Sequence, residues 1–340
     1  MNRNMKTWMQ SLLQSDTTVA IPIMTHSGIE MIGKRVVDAV TDGRIHYEAV
    51  KALSEKYPAA ASTVIMDLTV EAEAFGATVE FPDNDVPNVL GRLVSDRSSI
   101  EQLPIPDLSQ GRIPHYLLAN RLAAENIEKP LFSGCIGPFS LAGRLFDMSE
   151  IMMEIYIDPE VTHLLLQKCT AFLLQYCRAL KEQGTQGVII AEPAAGLLSN
   201  DACRDFSSVY VKQIVEAVQD DHFLVILHNC GNTGHCTEAM LHAGAAGYHF
   251  GNKIDMKETL MVCPTDLLVM GNLDPVSLFK MATEEELYNA TLELLTQTSN
   301  HCNFILSSGC DTPPHIPFRN IEAFYQALSH YNATRKEITS

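Results

Sequence analysis

The sequence has no run of about 18 consecutive apolar residues, the length that a membrane-spanning helix requires. Its first residues, Met1 to Trp8, also lack the continuous apolar core of a secretory signal. These two absences predict a cytoplasmic protein without a membrane span.

Basic residues are scarce. Lys and Arg number 24 against 41 Asp and Glu, which gives a formal net charge of -17. Because phosphate contacts are made by Lys and Arg, this balance argues against nucleic acid as a partner. It also disfavours a polyanionic substrate, unless a local basic pocket overrides the overall charge.

A disulfide framework is also missing. The cysteine count is nine, an odd number, and the residues are scattered through apolar stretches of a 340-residue chain, which indicates reduced thiols. Hydrophobic residues make up 46% of the chain, and neither a linker nor an internal repeat interrupts it. We therefore expect one domain spanning residues 1–340.

Short apolar runs alternate with helical patterns, which predicts parallel strands covered by helices. Asp158-Pro159 and Thr283 with Glu286 are typical helix starts. The eight predicted strands are residues 19–24, 61–67, 131–135, 187–191, 223–227, 247–250, 267–270 and 303–306. Eight strands favour an α/β fold closed as a (β/α)8 TIM barrel, with an N-terminal helix to about Gln14 and an insertion over residues 76–112, after the second strand.

Two short motifs carry the candidate chemistry, Leu-His-Asn-Cys-Gly at 227–231 and Ser-Ser-Gly-Cys-Asp at 307–311. Each follows a predicted strand, and His228 and Cys230 point to the same side because strand side chains alternate. If the strand before Cys310 opens onto the same cleft, the three side chains form a zinc-type ligand set with one open position.

Other interpretations of these residues stay open. An isolated His-x-Cys is often core packing, because cysteine is among the most buried residue types. His235 and Cys236 could instead build a local zinc knuckle with His228 and Cys230. Further polar side chains follow other predicted strands: Glu192 as a catalytic or structural carboxylate, Asn272, Asp274 and Asp311 as substrate-binding candidates, and His249 as a ligand or a polar filler.

Residues 132–145, Phe-Ser-Gly-Cys-Ile-Gly-Pro-Phe-Ser-Leu-Ala-Gly-Arg-Leu, and 271–275, Gly-Asn-Leu-Asp-Pro, resemble the uroporphyrinogen decarboxylase superfamily, a family of (β/α)8 barrels. Within it, the motifs at 227–233 and 305–311 and the segment 67–76 are similar to the corrinoid-dependent methyltransferase branch. The resemblance implies that His228, Cys230 and Cys310 are zinc ligands.

The implied activity is methyl transfer from a methyl-cobalt corrinoid to a thiol such as coenzyme M. The corrinoid would arrive on a separate corrinoid protein, since the sequence shows no corrinoid-carrying domain; the oligomeric state stays open. Tetrapyrrole decarboxylation is the alternative, but the place of its carboxylate-binding arginines, after the first strand, holds Thr25-His26-Ser27-Gly28. A non-catalytic barrel that binds a corrinoid or a protein partner is the third hypothesis.

Overall fold

The computed structural model describes residues 3–339. Its strands, β1 to β9 in chain order, are Ser62–Thr63, Thr78–Glu80, Asn88–Leu90, Leu131–Ile136, Gly187–Ala191, Leu224–Asn229, Gly247–Phe250, Leu268–Leu273 and Phe304–Ser308. Seven of them form one parallel sheet in the order β1-β4-β5-β6-β7-β8-β9, while β2 and β3 form an antiparallel pair. The fold is therefore α/β and TIM-barrel-like, which agrees with the predicted class, although the parallel sheet of the described residues has seven strands where eight were predicted.

Helices follow nearly every strand of the parallel sheet. The α-helices α1 to α16 span Met5–Leu13, His26–Met31, Val36–Thr41, Gly43–Lys56, Val70–Ala74, Arg97–Gln102, Ile113–Asn126, Pro138–Phe146, Met148–Ile157, Pro159–Glu182, Asn200–Cys203, Val209–Val218, Thr237–Leu241, Met256–Val262, Glu284–Gln297 and Phe318–Thr339. A 3-10 helix covers Pro193–Leu197 and a π-helical turn covers Arg204–Ser208. Across residues 3–339, none of these helices combines the length and apolar character needed to cross a bilayer.

Two predicted helix starts are confirmed by their caps. The Asp158 side chain accepts from the Val161 amide at the start of α10, and Pro159 occupies its first turn. Thr283 and Glu286 form a reciprocal capping box at the start of α15. Both helices begin where the sequence indicated.

The first predicted strand is reduced to a single bridge. Ala20 pairs in parallel with Leu306 of β9, and its carbonyl accepts from the Ala60 amide at 2.9 Å. Beyond this bridge the Ile21 carbonyl and the Ile23 amide bond to the hydroxyls of Ser307 and Ser308 and not to the backbone of β9, so the ladder does not continue in the regular way. Residues 19–23 therefore lie between β9 and the segment that leads into β1, the position of an eighth strand.

Alternate residues of the strands pack in two different layers. Val188 and Ile190 belong to the large cluster between sheet and helices, whereas Ile189 belongs to a smaller cluster. That smaller cluster contains Met5 and packs against Trp8, so α1 covers the amino ends of the strands. The opposite, carboxyl-terminal rim remains free to hold polar side chains.

Candidate metal centre

His228, Cys230 and Cys310 come together at the carboxyl-terminal rim, with one ligand atom from each lying within 4.8 Å of the others. Nε2 of His228 lies 3.5 Å from Sγ of Cys310. The imidazole is buried, while both cysteines are partly exposed. The structure thus brings together the three residues that sequence analysis singled out.

Strand register explains why His228 faces inward. Leu224 and Ile226 of β6 belong to the smaller cluster, which also contains Ile189, and His228 continues that face two residues later. The sheet pairs His228 with Ala191 of β5 and with His249 of β7. His249 is therefore its direct neighbour on the same face.

The turn after β6 places Cys230. Oδ1 of Asn229 accepts from the amides of Gly231 and Asn232, each at 3.0 Å, and bends the chain immediately after the strand. A Cβ on Gly231 would lie 2.4 Å from the Pro193 carbonyl oxygen, so only glycine allows this close approach. The thiol of Cys230 is thereby held beside the end of β6.

Cys310 is fixed by the end of β9. Oγ of Ser308 donates to the Ile23 carbonyl at 3.0 Å, and the Gly309 amide donates to the Leu273 carbonyl at 2.6 Å. These bonds tie the turn before Cys310 to both neighbouring segments. The thiol is held by backbone on two sides.

A chain of hydrogen bonds orients the His228 ring. Ser307 Oγ donates to the Ile21 carbonyl at 2.9 Å, so it accepts from Nε2 of His249 at 2.8 Å. Burial, and then the proximity of His228, lower the pKa of His249 far below its ordinary value, so its Nδ1 is an acceptor. Nδ1 of His228, 2.7 Å away, must then carry the hydrogen. Its Nε2 is left with a lone pair directed at the thiols, the form in which histidine ligates metals.

The two thiols differ in acidity because they lie next to each other. A hydrogen bond from Cys310, reinforced by His228, lowers the pKa of Cys230 to about 4, and the pKa of Cys310 rises in turn because it keeps the proton beside a thiolate. Two sulfurs and one neutral imidazole nitrogen match the donors that zinc prefers. The donor set therefore fits zinc, with three protein ligands.

The alternative zinc knuckle does not form. Sγ of Cys236 donates to the Leu198 carbonyl at 3.2 Å, and Nε2 of His235 lies 2.9 Å from the same oxygen. Within residues 3–339, the ligand cluster contains neither residue. Both side chains hold the loop after β5 instead.

Glu192 lies on the other face of the sheet from His228. Its amide donates to the His228 carbonyl at 2.8 Å, but its carboxylate accepts from the Phe139 amide at 2.7 Å and from the Ser140 amide and hydroxyl at 2.9 and 2.7 Å. Burial raises the pKa of this carboxyl group to about 7. Glu192 thus holds the amino end of α8 and does not join the three-residue cluster.

The three predicted substrate-binding residues have different surroundings. Nδ2 of Asn272 donates to the Gly251 and Ile254 carbonyls, and Asp274 accepts from Asn252 and from the amides of the following turn. Asp311 accepts from the amide and hydroxyl of Thr25 at 3.1 and 2.8 Å. Of the three, Asp311 borders a cleft.

Two clefts of the rim are lined by residues adjacent to the ligand cluster, although the three ligands themselves line neither. One, of about 290 Å³, is bordered by Asp311 and Thr312, which directly follow Cys310. The other, of about 440 Å³, is bordered by Pro193 and Ala194, next to the turn that carries Cys230. Arg144 borders both clefts.

Sequence reasoning missed the arginines of this rim. Arg112 forms ion pairs with Asp67 and with Glu73, the latter at 2.6 Å, and Arg144 reaches the clefts from α8. No arginine follows the first predicted strand, as noted, but these two come from other loops. A sequence gives no signal for such long-range placement.

Comparison with curated proteins gives relatives of two kinds. The chain is 28% identical over 273 residues to the methylcobamide:CoM methyltransferase MtbA of Methanosarcina acetivorans, covering 79% of each chain. It is 26% identical over 301 residues to a uroporphyrinogen decarboxylase of Alkalilimnicola ehrlichii, covering 84% of this chain and 81% of that one. Each match covers about four fifths of both chains.

Among solved structures, a methyltransferase from Methanosarcina mazei superposes with a TM-score of 0.87 at 22% identity, covering 96% of this chain and 99% of that one. A B12-independent methionine synthase from Shewanella gives a TM-score of 0.56 at 15% identity, covering 87% and 89%. The family model for uroporphyrinogen decarboxylase (URO-D) matches residues 16–331. The chain therefore belongs to the uroporphyrinogen decarboxylase family.

Proposed function

We propose that this chain is a zinc-dependent methyltransferase of the cytoplasm that moves a methyl group from a methylated corrinoid, carried by a separate corrinoid protein, to a thiol such as coenzyme M. The observation that carries the proposal is the convergence of His228, Cys230 and Cys310 within 4.8 Å at the strand ends. The name of the Methanosarcina acetivorans relative supports the same reaction.

The proposed roles of the ligands follow from their protonation. His228 offers Nε2 because its Nδ1 hydrogen is committed to His249. Cys230 and Cys310 would both hold the ion as thiolates, so the protein would supply two negative charges. Zinc held there would keep the sulfur of the acceptor thiol deprotonated and nucleophilic.

In the reaction the thiol sulfur forms a bond to the methyl carbon while the cobalt–carbon bond of the corrinoid breaks. The electron pair of that bond stays on the cobalt, and the thiol proton passes to solvent. The protein has to bring sulfur and methyl carbon to about 3 to 3.5 Å in line for attack. The two clefts beside the cluster are where substrate would be held.

Two predicted residues take more specific roles in this proposal. Asp311 borders the smaller cleft directly after Cys310, so it is proposed to contact the substrate. Glu192 is proposed to act as a positioning residue, because its carboxylate anchors the amino end of α8, and α8 brings Ser140 and Arg144 to the larger cleft. Asn272 and Asp274 would shape the loop after β8 through their hydrogen bonds.

Porphyrinogen decarboxylation is the second candidate, favoured by the relative from Alkalilimnicola ehrlichii. That reaction gives no role to a cluster of two thiols and one imidazole. It also requires many cations for a polycarboxylate, and Arg112 is already paired with Asp67 and Glu73. Methyl transfer is therefore the better supported activity.

The deciding experiment mixes zinc-loaded protein, a panel of small thiols and methylcobalamin under anaerobic conditions. The absorbance of the methyl–cobalt bond should disappear with the correct thiol, and the loss should vanish in Cys230→Ser. Cys302→Ser, at an exposed free cysteine, is the matched control and should keep the activity. The proposal fails if protein with a cognate corrinoid protein methylates none of the thiols and releases CO2 from uroporphyrinogen.

A further inference from the structure

Arg144 is a partly buried cation without a partner. Within residues 3–339, neither an ion pair nor a hydrogen bond links its guanidinium to another side chain or carbonyl, although it borders both clefts of the rim. Burial lowers the pKa of Arg144. A guanidinium that loses water without gaining an acceptor is destabilised, so such a group is suited to receive a ligand anion.

The nearby acidic side chains are already occupied. Asp67 is paired with Arg112, and Asp311 accepts from Thr25 and lies 3.4 Å from Nδ1 of His26. Asp147 accepts from the first amides of α9, and Asp85 from the amide that follows it. Arg144 is attracted by Asp67 but forms no contact pair with it. The one cation free at this rim, among the described residues that border the clefts, is therefore Arg144.

Arg112, the second arginine of the rim, already uses four of its five N–H donors within the protein. The Arg112 guanidinium donates to Asp67, Glu73, Thr69 Oγ1 and the Val40 carbonyl. It is a fixed structural cation. Arg144 differs because all its donors are available to a ligand that enters the cleft.

We propose that Arg144 binds an acid group, a sulfonate or a carboxylate, on the thiol that accepts the methyl group. Arg144 and Leu68 line both clefts, while the smaller cleft is also lined by Asp311, next to Cys310, and the larger by Pro193, whose carbonyl approaches Gly231, next to Cys230. A short thiol anchored by its anion at Arg144 would extend its sulfur toward the ligand cluster. The thiol end of this inference rests on the proposed function, whereas the anion end rests on Arg144 alone.

Binding is tested by calorimetric titration of the zinc-loaded protein with four probes: 2-mercaptoethanesulfonate, 3-mercaptopropionate, uncharged 2-mercaptoethanol, and ethanesulfonate, which has no thiol. The anionic thiols should bind roughly 10- to 100-fold more tightly than 2-mercaptoethanol, the range expected for hydrogen bonds to a charged group. The sulfonate and carboxylate arms identify the acid group. Ethanesulfonate should bind as well, since its anion needs no metal.

Arg144→Gln should remove the preference for anionic thiols, and Arg144→Lys should retain part of it, because lysine keeps the charge without the planar fork. Arg121→Gln is the matched control, since Arg121 is an exposed residue of α7 that borders neither cleft. Zinc content and circular dichroism establish that each variant is folded. If Arg144→Gln does not fold, the affinities of the four probes for wild-type protein and for Arg144→Lys test the role of Arg144.

The outcomes separate this inference from the proposed function. Equal affinity of wild-type protein for charged and neutral thiols, or an anion preference that survives in Arg144→Gln, overturns the role of Arg144 even if methyl transfer occurs. Anion binding that depends on Arg144 without methyl transfer to any thiol would uphold the site and overturn the reaction.

Discussion

His228 and Cys310 are 82 positions apart in the chain, yet Nε2 of one lies 3.5 Å from Sγ of the other. His228 lies on β6 and Cys310 directly follows β9, so two strands, β7 and β8, separate them in the sheet order and the contact requires the sheet to curl. The pair therefore exists only in the folded chain, and metal binding there should depend on the fold.

Replacing Cys310 with alanine should cost the protein its zinc. One of three ligands is lost, and the remaining imidazole and thiol bind the ion too weakly to retain it at low free metal. Elemental analysis after dialysis should find about one zinc per chain in the wild type and almost none in Cys310→Ala. Cys302→Ala, at an exposed cysteine, should keep the wild-type content. Full zinc in Cys310→Ala would remove this residue from the ligand set.

Replacing His249 with phenylalanine should weaken zinc binding by about 10- to 100-fold, because the acceptor that fixes the His228 tautomer is lost. Competition with a chromogenic chelator measures the affinity. His242→Phe serves as the control, because it changes a partly exposed histidine outside the hydrogen-bond chain of Ser307, His249 and His228. Unchanged affinity in His249→Phe would mean that the 2.7 Å contact does not direct Nε2 toward the thiols.

Glu192→Gln should change the pH dependence of stability. Because burial raises the pKa of Glu192 to about 7 from 4.5, the folded protein retains a proton that the unfolded chain releases. This contribution is present below about pH 4.5 and is lost as the pH rises through 7, by an amount on the order of 3 kcal/mol.

Urea unfolding of metal-free wild type and Glu192→Gln at pH 5 and pH 8 tests this. The wild type should lose more free energy of unfolding over that interval than the variant does. Glu71, whose pKa is also raised to about 7 by burial, is present in both proteins and cancels in the comparison. Parallel pH profiles would mean that Glu192 is ionised in the folded state throughout. Methyl transfer should also fall in the variant at unchanged zinc content.

Asp67→Asn should destabilise the protein by about 3 to 5 kcal/mol, since it leaves the buried Arg112 guanidinium with an incomplete set of partners. Asp83→Asn breaks an exposed pair with Arg35 and should cost less than about 1 kcal/mol. Chemical denaturation measures both. Similar losses in the two variants would contradict the distinction between buried and exposed pairs.

The apolar runs predicted strand positions well and strand ends poorly. Residues 187–191 and 247–250 are the strands β5 and β7 as predicted. β6 and β8 run on through His228 and Asn272, because backbone pairing at the rim continues under polar side chains that an apolar pattern excludes. The predicted second strand shrinks to Ser62–Thr63, and the Ile65 amide bonds to the ring of His46 instead.

The candidate ligands could be predicted because the periodicity of one strand places His228 and Cys230 on one face. The same periodicity, applied to β5, puts Ile189 and Ala191 inward and Glu192 toward α8. The hydrogen bond between His249 and His228 depends on the register between neighbouring strands. The guanidinium of Arg144 is left without a partner because the nearby carboxylates bond to other residues. Neither property is encoded in the spacing of nearby residues.

The hydrogen bond from Ser307 to the Ile21 carbonyl connects the candidate zinc site to the first segment of the chain. It joins residues 286 positions apart, at the place where the first segment meets β9. An ion that binds only the assembled site stabilises that assembly by mass action. Zinc would thus stabilise, through His228 and His249, the junction between residues 19–23 and β9. The backbone amides of Ile21 and Leu306, which bond across this junction, should exchange with deuterium more slowly once zinc is bound.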